Sequence, residues 1–209
     1  NASQGTLVAL EKANNKWKWF RESTPVTVGH RGLGWGVGLH GEGTHEPLKR
    51  EGDHRAPAGV FFLEFGFGAS PFRERSFPYF RITDADRWVD DPASRFYNQW
   101  IALGDPRFPK DWKSAEIMNR KDGRYDHVIV VSHNRNPTIP GRGSAIFLHS
   151  WIAPGKSTIG CTAMETREVK RLLQWLDLDA KPILIQLPKE ELGSLPLSES
   201  LKFAIQPSF

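Results

Sequence analysis

The sequence predicts a mostly β domain with one main helix in its last third. Three observations carry this. Short apolar or alternating runs recur along the chain. Glycine (19) and proline (15) punctuate the gaps between them, as turns between strands require. Helical periodicity is clear in one stretch, where Val169, Leu172, Leu173 and Leu176 fall at i, i+3, i+4 and i+7.

At 209 residues and 39% hydrophobic, the chain can bury one good-sized core, so a single domain over 1–209 is expected. Charged residues make up 25% and are spread along it, which argues against disorder. A net charge of +4 favours anionic surfaces weakly, and no nucleic-acid partner is expected. No apolar run approaches the ~20 residues that span a bilayer. The chain opens at Asn1 without an initiator Met, as a form whose signal peptide has been removed would. The single cysteine allows no internal disulfide, and a monomer is expected.

In order, Thr6 to Leu10 reads as a strand and Lys16 to Phe20 alternates polar and aromatic residues, as a half-buried edge strand does. Glu11 to Asn15 would connect them as a hairpin. Pro25 to Val28 fits a third strand. Gly29 to Gly43 is glycine-rich but opens no helix, so it reads as a wide loop rather than a phosphate cradle. Ala56 to Phe61 opens a strand that Phe62 to Phe67 continues. Pro71 to Trp112 reads as long loops with one short helix, of the kind that covers a site. Ser114 to Met118 reads as helical.

Asp126 to Asn134 reads as a buried strand with a histidine at each end, His127 and His133. Asn136 to Gly143, with two prolines and two glycines, turns it into the apolar run Ser144 to Leu148, so the two strands should be neighbours. His133 then either approaches the functional site or bonds loop backbone. Thr166 to Leu176 is the helix, Lys181 to Leu187 a closing strand, and the last twenty residues a tail on the outside.

Chemistry concentrates between Gly143 and Met164. His149 stands where a strand leaves the sheet, and Cys161 follows a loop containing Pro154-Gly155. A strand end and a returning loop can set an imidazole against a thiol, which it deprotonates to a nucleophilic thiolate. Gly160 would let the backbone approach just before the sulfur. The amides of Gly160 and Cys161 would face an oxyanion. A helix starting near Cys161 would add a little to the thiolate's stability.

This segment resembles the signature of the L,D-transpeptidase (YkuD-type) catalytic domain: a strand ending in His then Gly, Ser or Thr, a loop, Ser-His-Gly-Cys, an apolar residue, Arg and Met. His149-Ser150, Gly160-Cys161 and Met164 match. Ile159 replaces the second His and Ala163 the Arg, departures that bear on substrate recognition and on the acyl acceptor. Lys49-Arg50-Glu51-Gly52-Asp53, followed by Ala56-Pro57-Ala58-Gly59-Val60-Phe61, is similar to a branch of bacterial members.

The resemblance covers about residues 25–188 and implies a β-sandwich with the main helix after the cysteine. It implies Cys161 as nucleophile, His149 as base, Ser150 holding the imidazole through its carbonyl, and no cofactor. The substrates would be peptidoglycan stem peptides in the cell envelope, periplasmic or secreted. Arg50 and Asp53 would contact a zwitterionic substrate, or else form an ion-pair cluster ordering their loop. Resolution of the thioester by water instead of an amine would make the same site an L,D-carboxypeptidase or endopeptidase. A zinc hydrolase on His40, His45, His54, His127 or His133 and a silent wall-binding module are the competing classes. The first lacks a tight His pair on a helix, and the second leaves Cys161 and His149 unexplained.

Overall fold

The computed structural model describes residues 3–41, 45–73, 76–193, 198, 201 and 204. Two strands form where one is expected at the N-terminus. β1 (Gln4–Leu7) ends early and β2 (Leu10–Ala13) begins a hairpin with β3 (Lys16–Trp19). The connection shrinks to Asn14-Asn15, both at positive φ (51° and 59°). Asparagine tolerates that conformation, which matches the twist of a two-residue hairpin turn. The hairpin is a sheet of its own and largely exposed, not the half-buried edge strand that its alternation suggests.

β4 (Thr24–Thr27) pairs with β1 as an expected third strand. The glycine-rich stretch hides β5 (Leu33–Trp35), parallel to the long β6 (Ala56–Gly68). Residues 42–44 of that stretch lie outside the described residues. The expected loops of 71–112 instead hold β7 (Tyr79–Arg81), β8 (Asp86–Val89) and β9 (Trp100–Ala102), with no helix among the described residues. Carboxylates do the turning: Asp86 accepts from Thr83 and from the Trp100 indole, and Asp91 from the amides of Ala93 and Lys113. Ser114 to Met118 is likewise not helical but gives β10 (Ala115–Ile117), paired with β8. Five residues are too few for periodicity to separate helix from strand.

β11 (Val128–Val131) and β12 (Phe147–Ser150) are antiparallel neighbours, as their short connection predicts. β12 starts later than the apolar run because Ala145 takes φ 52°. β13 (Thr162–Met164) runs parallel to β12, and α1 (Thr166–Trp175) and β14 (Ile183–Gln186) follow where expected. Most of the last twenty residues lie outside the described residues. The main sheet has the order β1-β4-β13-β12-β11-β6-β14, with β5 and β7 also on β6. β8, β9 and β10 form a separate three-stranded sheet.

Period-two alternation sorts the main sheet's side chains into two layers. Ile129, Val131, Leu148 and Met164 pack with Val169, Leu172 and Leu173 of α1. Val128, Val130 and Phe147 point the other way and pack with Trp88 of β8, Tyr125 and Cys161. The Trp88 and Phe147 rings meet edge to face at 5.0 Å. The result is a mostly β, sandwich-like arrangement, with the single long helix on one face and the small sheet on the other.

Candidate active site

The same alternation positions His149 and Cys161. Leu148 faces α1, so its neighbour His149 faces the small sheet, on the side of Phe147. His149 is the register partner of Ala163 on β13. Cys161 lies two residues before Ala163 and so shares its face. Both groups open on one cavity of about 450 Å³, lined also by Ile159, Gly160, Tyr125, Arg120, Arg124 and Glu51.

His149 is 5% exposed, and its Nδ1 lies 2.8 Å from the Ser150 carbonyl oxygen. A carbonyl only accepts, so Nδ1 carries the proton and Nε2 keeps its lone pair. The Tyr125 ring meets the imidazole edge-on at 5.4 Å. Burial pulls the imidazole pKa down to about 4; the Ser150 hydrogen bond opposes this, and Arg124 and Arg120 reinforce it. At neutral pH the ring is uncharged and able to take a proton.

Cys161 is 8% exposed, and its Sγ donates to the Ala145 carbonyl at 3.3 Å. Burial pushes the thiol up to about 12, against the pull of the Phe147 amide that faces the sulfur. The resting pair is therefore thiol and neutral imidazole, not an ion pair. α1 begins only after β13, at Thr166, and packs on the opposite face of the sheet, so no helix end serves the sulfur.

Thr158 shapes the loop that leads into Cys161. Its hydroxyl donates to the Cys161 carbonyl at 2.6 Å and accepts the Gly160 amide at 3.2 Å. Backbone bonds from Thr158 N–H to Val28 and from His30 N–H to Thr158 tie this turn to the end of β4. The Gly160 amide is thus engaged, and an oxyanion site from both amides is reduced to that of Cys161, which no hydrogen bond occupies among the described residues. Nor is Gly160 needed for a close approach, since a Cβ there would meet its nearest atom at an ordinary 3.5 Å.

The tentative binding residues fall elsewhere. His133 is buried outside the cavity lining; its Nδ1 accepts the Val37 amide and its Nε2 donates to the Arg142 carbonyl. Asp53 accepts from Lys49 at 2.7 Å and from the amides of Arg50 and Arg55, so it orders the loop. Neither it nor Arg50 lines the cavity, whereas Lys49, Glu51, Gly52 and His54 of the same motif do. Glu51 accepts the hydroxyls of Tyr97 (2.5 Å) and Ser144 (2.7 Å). Sequence reasoning missed Thr158, Tyr125, Arg120 and Arg124; only Thr158, three residues before the cysteine, carries a local turn signal.

The five histidines weighed as zinc ligands do not converge. His40 spends its ring nitrogens on Gly36 and Val60, His45 stacks on Trp35, His54 meets His30, and His127 packs against Phe72. Among the described residues no group of three or more His, Cys, Asp or Glu is placed to hold a metal. In comparison with known proteins, residues 2–185 match the YkuD family, the L,D-transpeptidase catalytic domain. No curated protein and no solved structure matches the chain.

Proposed function

The chain belongs to the YkuD family of L,D-transpeptidase catalytic domains, and from that premise we propose that Cys161 and His149 carry out acyl transfer on peptidoglycan stem peptides. One observation carries this reading. The Ser150 carbonyl fixes the His149 tautomer so that the basic Nε2 is left free, and the imidazole opens on the same cavity as the thiol.

In the proposed reaction the thiol turns from Ala145 to His149 as substrate enters. Nε2 takes the proton while Sγ attacks the carbonyl that follows an L-centre. The oxyanion of the tetrahedral intermediate meets the Cys161 amide. The C–N bond breaks, the D-residue leaves as an amine with the proton from His149, and a thioester remains. An incoming amine then gives its proton to His149 and releases the sulfur, forming the cross-link. Because both groups are neutral at rest, proton transfer accompanies attack rather than preceding it.

Water is the second resolving nucleophile. Resolution by water would make the same site an L,D-carboxypeptidase or endopeptidase. Among the described residues no helix is long and apolar enough to cross a membrane, and the substrate assigns the domain to the cell envelope.

Product analysis of digested cell wall, with and without added D-amino acid, tests the reading. Exchange of the terminal D-residue marks transfer and bare tripeptide marks hydrolysis. Cys161→Ala should abolish both, and full activity in that variant would sink the mechanism. A stoichiometric adduct of a carbapenem on Cys161, read by mass spectrometry, would exclude the silent wall-binding module.

A further inference from the structure

The loop between β8 and β9 delivers a buried amide to the back of the nucleophile. Asn98 is 2% exposed and holds φ 58°. Its side chain is fully used: Nδ2 donates to the carbonyls of His133 (3.1 Å) and Asn134 (2.7 Å). Oδ1 accepts the Trp88 indole N–H at 2.8 Å and the Ala145 amide at 3.2 Å. Ala145 sits at φ 52°, a conformation that L-residues with a Cβ rarely adopt. Its carbonyl is the one that accepts the Cys161 thiol.

The neighbours of these two residues are tied in the same way. The Gly143 amide donates to the Tyr97 hydroxyl at 3.0 Å, and Asn134 Nδ2 donates to the Gly143 carbonyl at 2.9 Å. Tyr97-Asn98 therefore grips 143–145 from behind. One residue carries the grip to the sulfur: the Ala145 N–H is held by Asn98 and the Ala145 C=O holds the thiol.

We propose that Asn98 is a positioning residue for Cys161, fixing Ala145 so that its carbonyl parks the thiol and aims the sulfur. The proposal rests on Cys161 being the nucleophile. It makes the 90–99 loop part of the catalytic apparatus, although Asn98 does not itself line the cavity. A carbonyl oxygen on the sulfur favours thiol over thiolate, so releasing it should ease ionisation while spoiling the aim.

Alkylation by iodoacetamide reads the first effect directly. The thiolate displaces iodide, a C–S bond replaces the C–I bond, and the thiol proton goes to buffer. Cys161 is the only cysteine, so the whole signal belongs to it. Asn98→Leu should move the midpoint of alkylation against pH down by about one unit, the scale of one hydrogen bond to the sulfur. Turnover should fall about tenfold or more in kcat while KM stays near wild type, as for loss of an interaction used in the transition state.

Should Asn98→Leu not fold, an amide-to-ester replacement at Ala145 removes only the N–H that Asn98 holds and must give the same midpoint shift. A midpoint superimposable on wild type in either folded variant overturns the proposal. The alkylation readout needs no substrate, so it separates from the nucleophile reading: full activity in Cys161→Ala would fell that reading, with or without a shift.

Discussion

His133 and His149 have much in common. Each lies in or just after a buried strand of the same sheet, each is nearly inaccessible (1% and 5% exposed), and burial depresses both, to about 3 and about 4. Their second nitrogens differ. His133 gives Nδ1 to the Val37 amide and Nε2 to the Arg142 carbonyl, so it has nothing left to offer. His149 gives only Nδ1, to Ser150, and faces a cavity with the rest. A depressed imidazole pKa therefore marks burial in both cases, and what sets His149 apart as the proposed base is an unfilled nitrogen on a residue that lines the cavity.

Replacing each in turn should break the symmetry most visibly. His149→Gln should cost about 10²–10⁴ in kcat, the usual worth of a positioned base, with a modest change in stability. His133→Ala should instead leave the Val37 amide and the Arg142 carbonyl unpaired in the interior, costing about 2–5 kcal/mol of stability. Its activity per folded molecule should stay near wild type. Denaturant midpoints and active-site-titrated rates measure the two effects, and a reversed pattern would mean that the roles are misassigned.

Acid sharpens the comparison further. Both folded-state values lie below the ordinary 6.5, so on acidification the unfolded chain binds the protons first. The stability contribution is complete above pH 6.5 and declines below it, by about 1.4 kcal/mol per pH unit for each histidine. The decline due to His149 ends near pH 4 and that due to His133 near pH 3. For catalysis, the His149 base stays free down to about pH 4, so the acid limb of kcat/KM in still-folded protein should lie there. A limb at 6.5 would show that the working imidazole is not the buried one.

The strands that frame the site are legible because their apolar runs are bounded by turn residues: β11, α1 and β14 stand where periodicity puts them, and β12 opens three residues into its run. The proposed catalytic pair is read from the signature at His149 and Cys161, which the fold brings to one cavity. The small sheet is not, since β8, β9 and β10 are three or four residues long and are defined by pairing with each other and by Asp86 and Asp91 turning the chain. Long-range partners leave no local pattern. For the same reason the stretch Lys49 to Asp53 does not tell which of its members line the cavity: Lys49, Glu51 and Gly52 do, whereas Asp53 accepts amides of its own loop. Gly160 misleads in another way, since Thr158 takes the amide that a bare Gly-Cys pair offers to an oxyanion.

The smallest expected effect concerns the position where the family signature carries its second histidine. Ile159 is 73% exposed at the cavity's rim, beside the turn that Thr158 closes. An imidazole there would stand in solvent, so Ile159→His should change stability by no more than about 0.5 kcal/mol. It would also stand apart from the tautomer-fixing contact at Ser150, which belongs to His149 alone. If the rim position serves recognition, kcat should hold within about a factor of three, less than one hydrogen bond is worth, and any change should fall on KM for the stem peptide or the amine. Steady-state kinetics at pH 5 and pH 8 decide it. A tenfold change in kcat, or a new acid limb near 6.5, would place the rim residue in the proton path and give the site a second working imidazole that Ile159 leaves out.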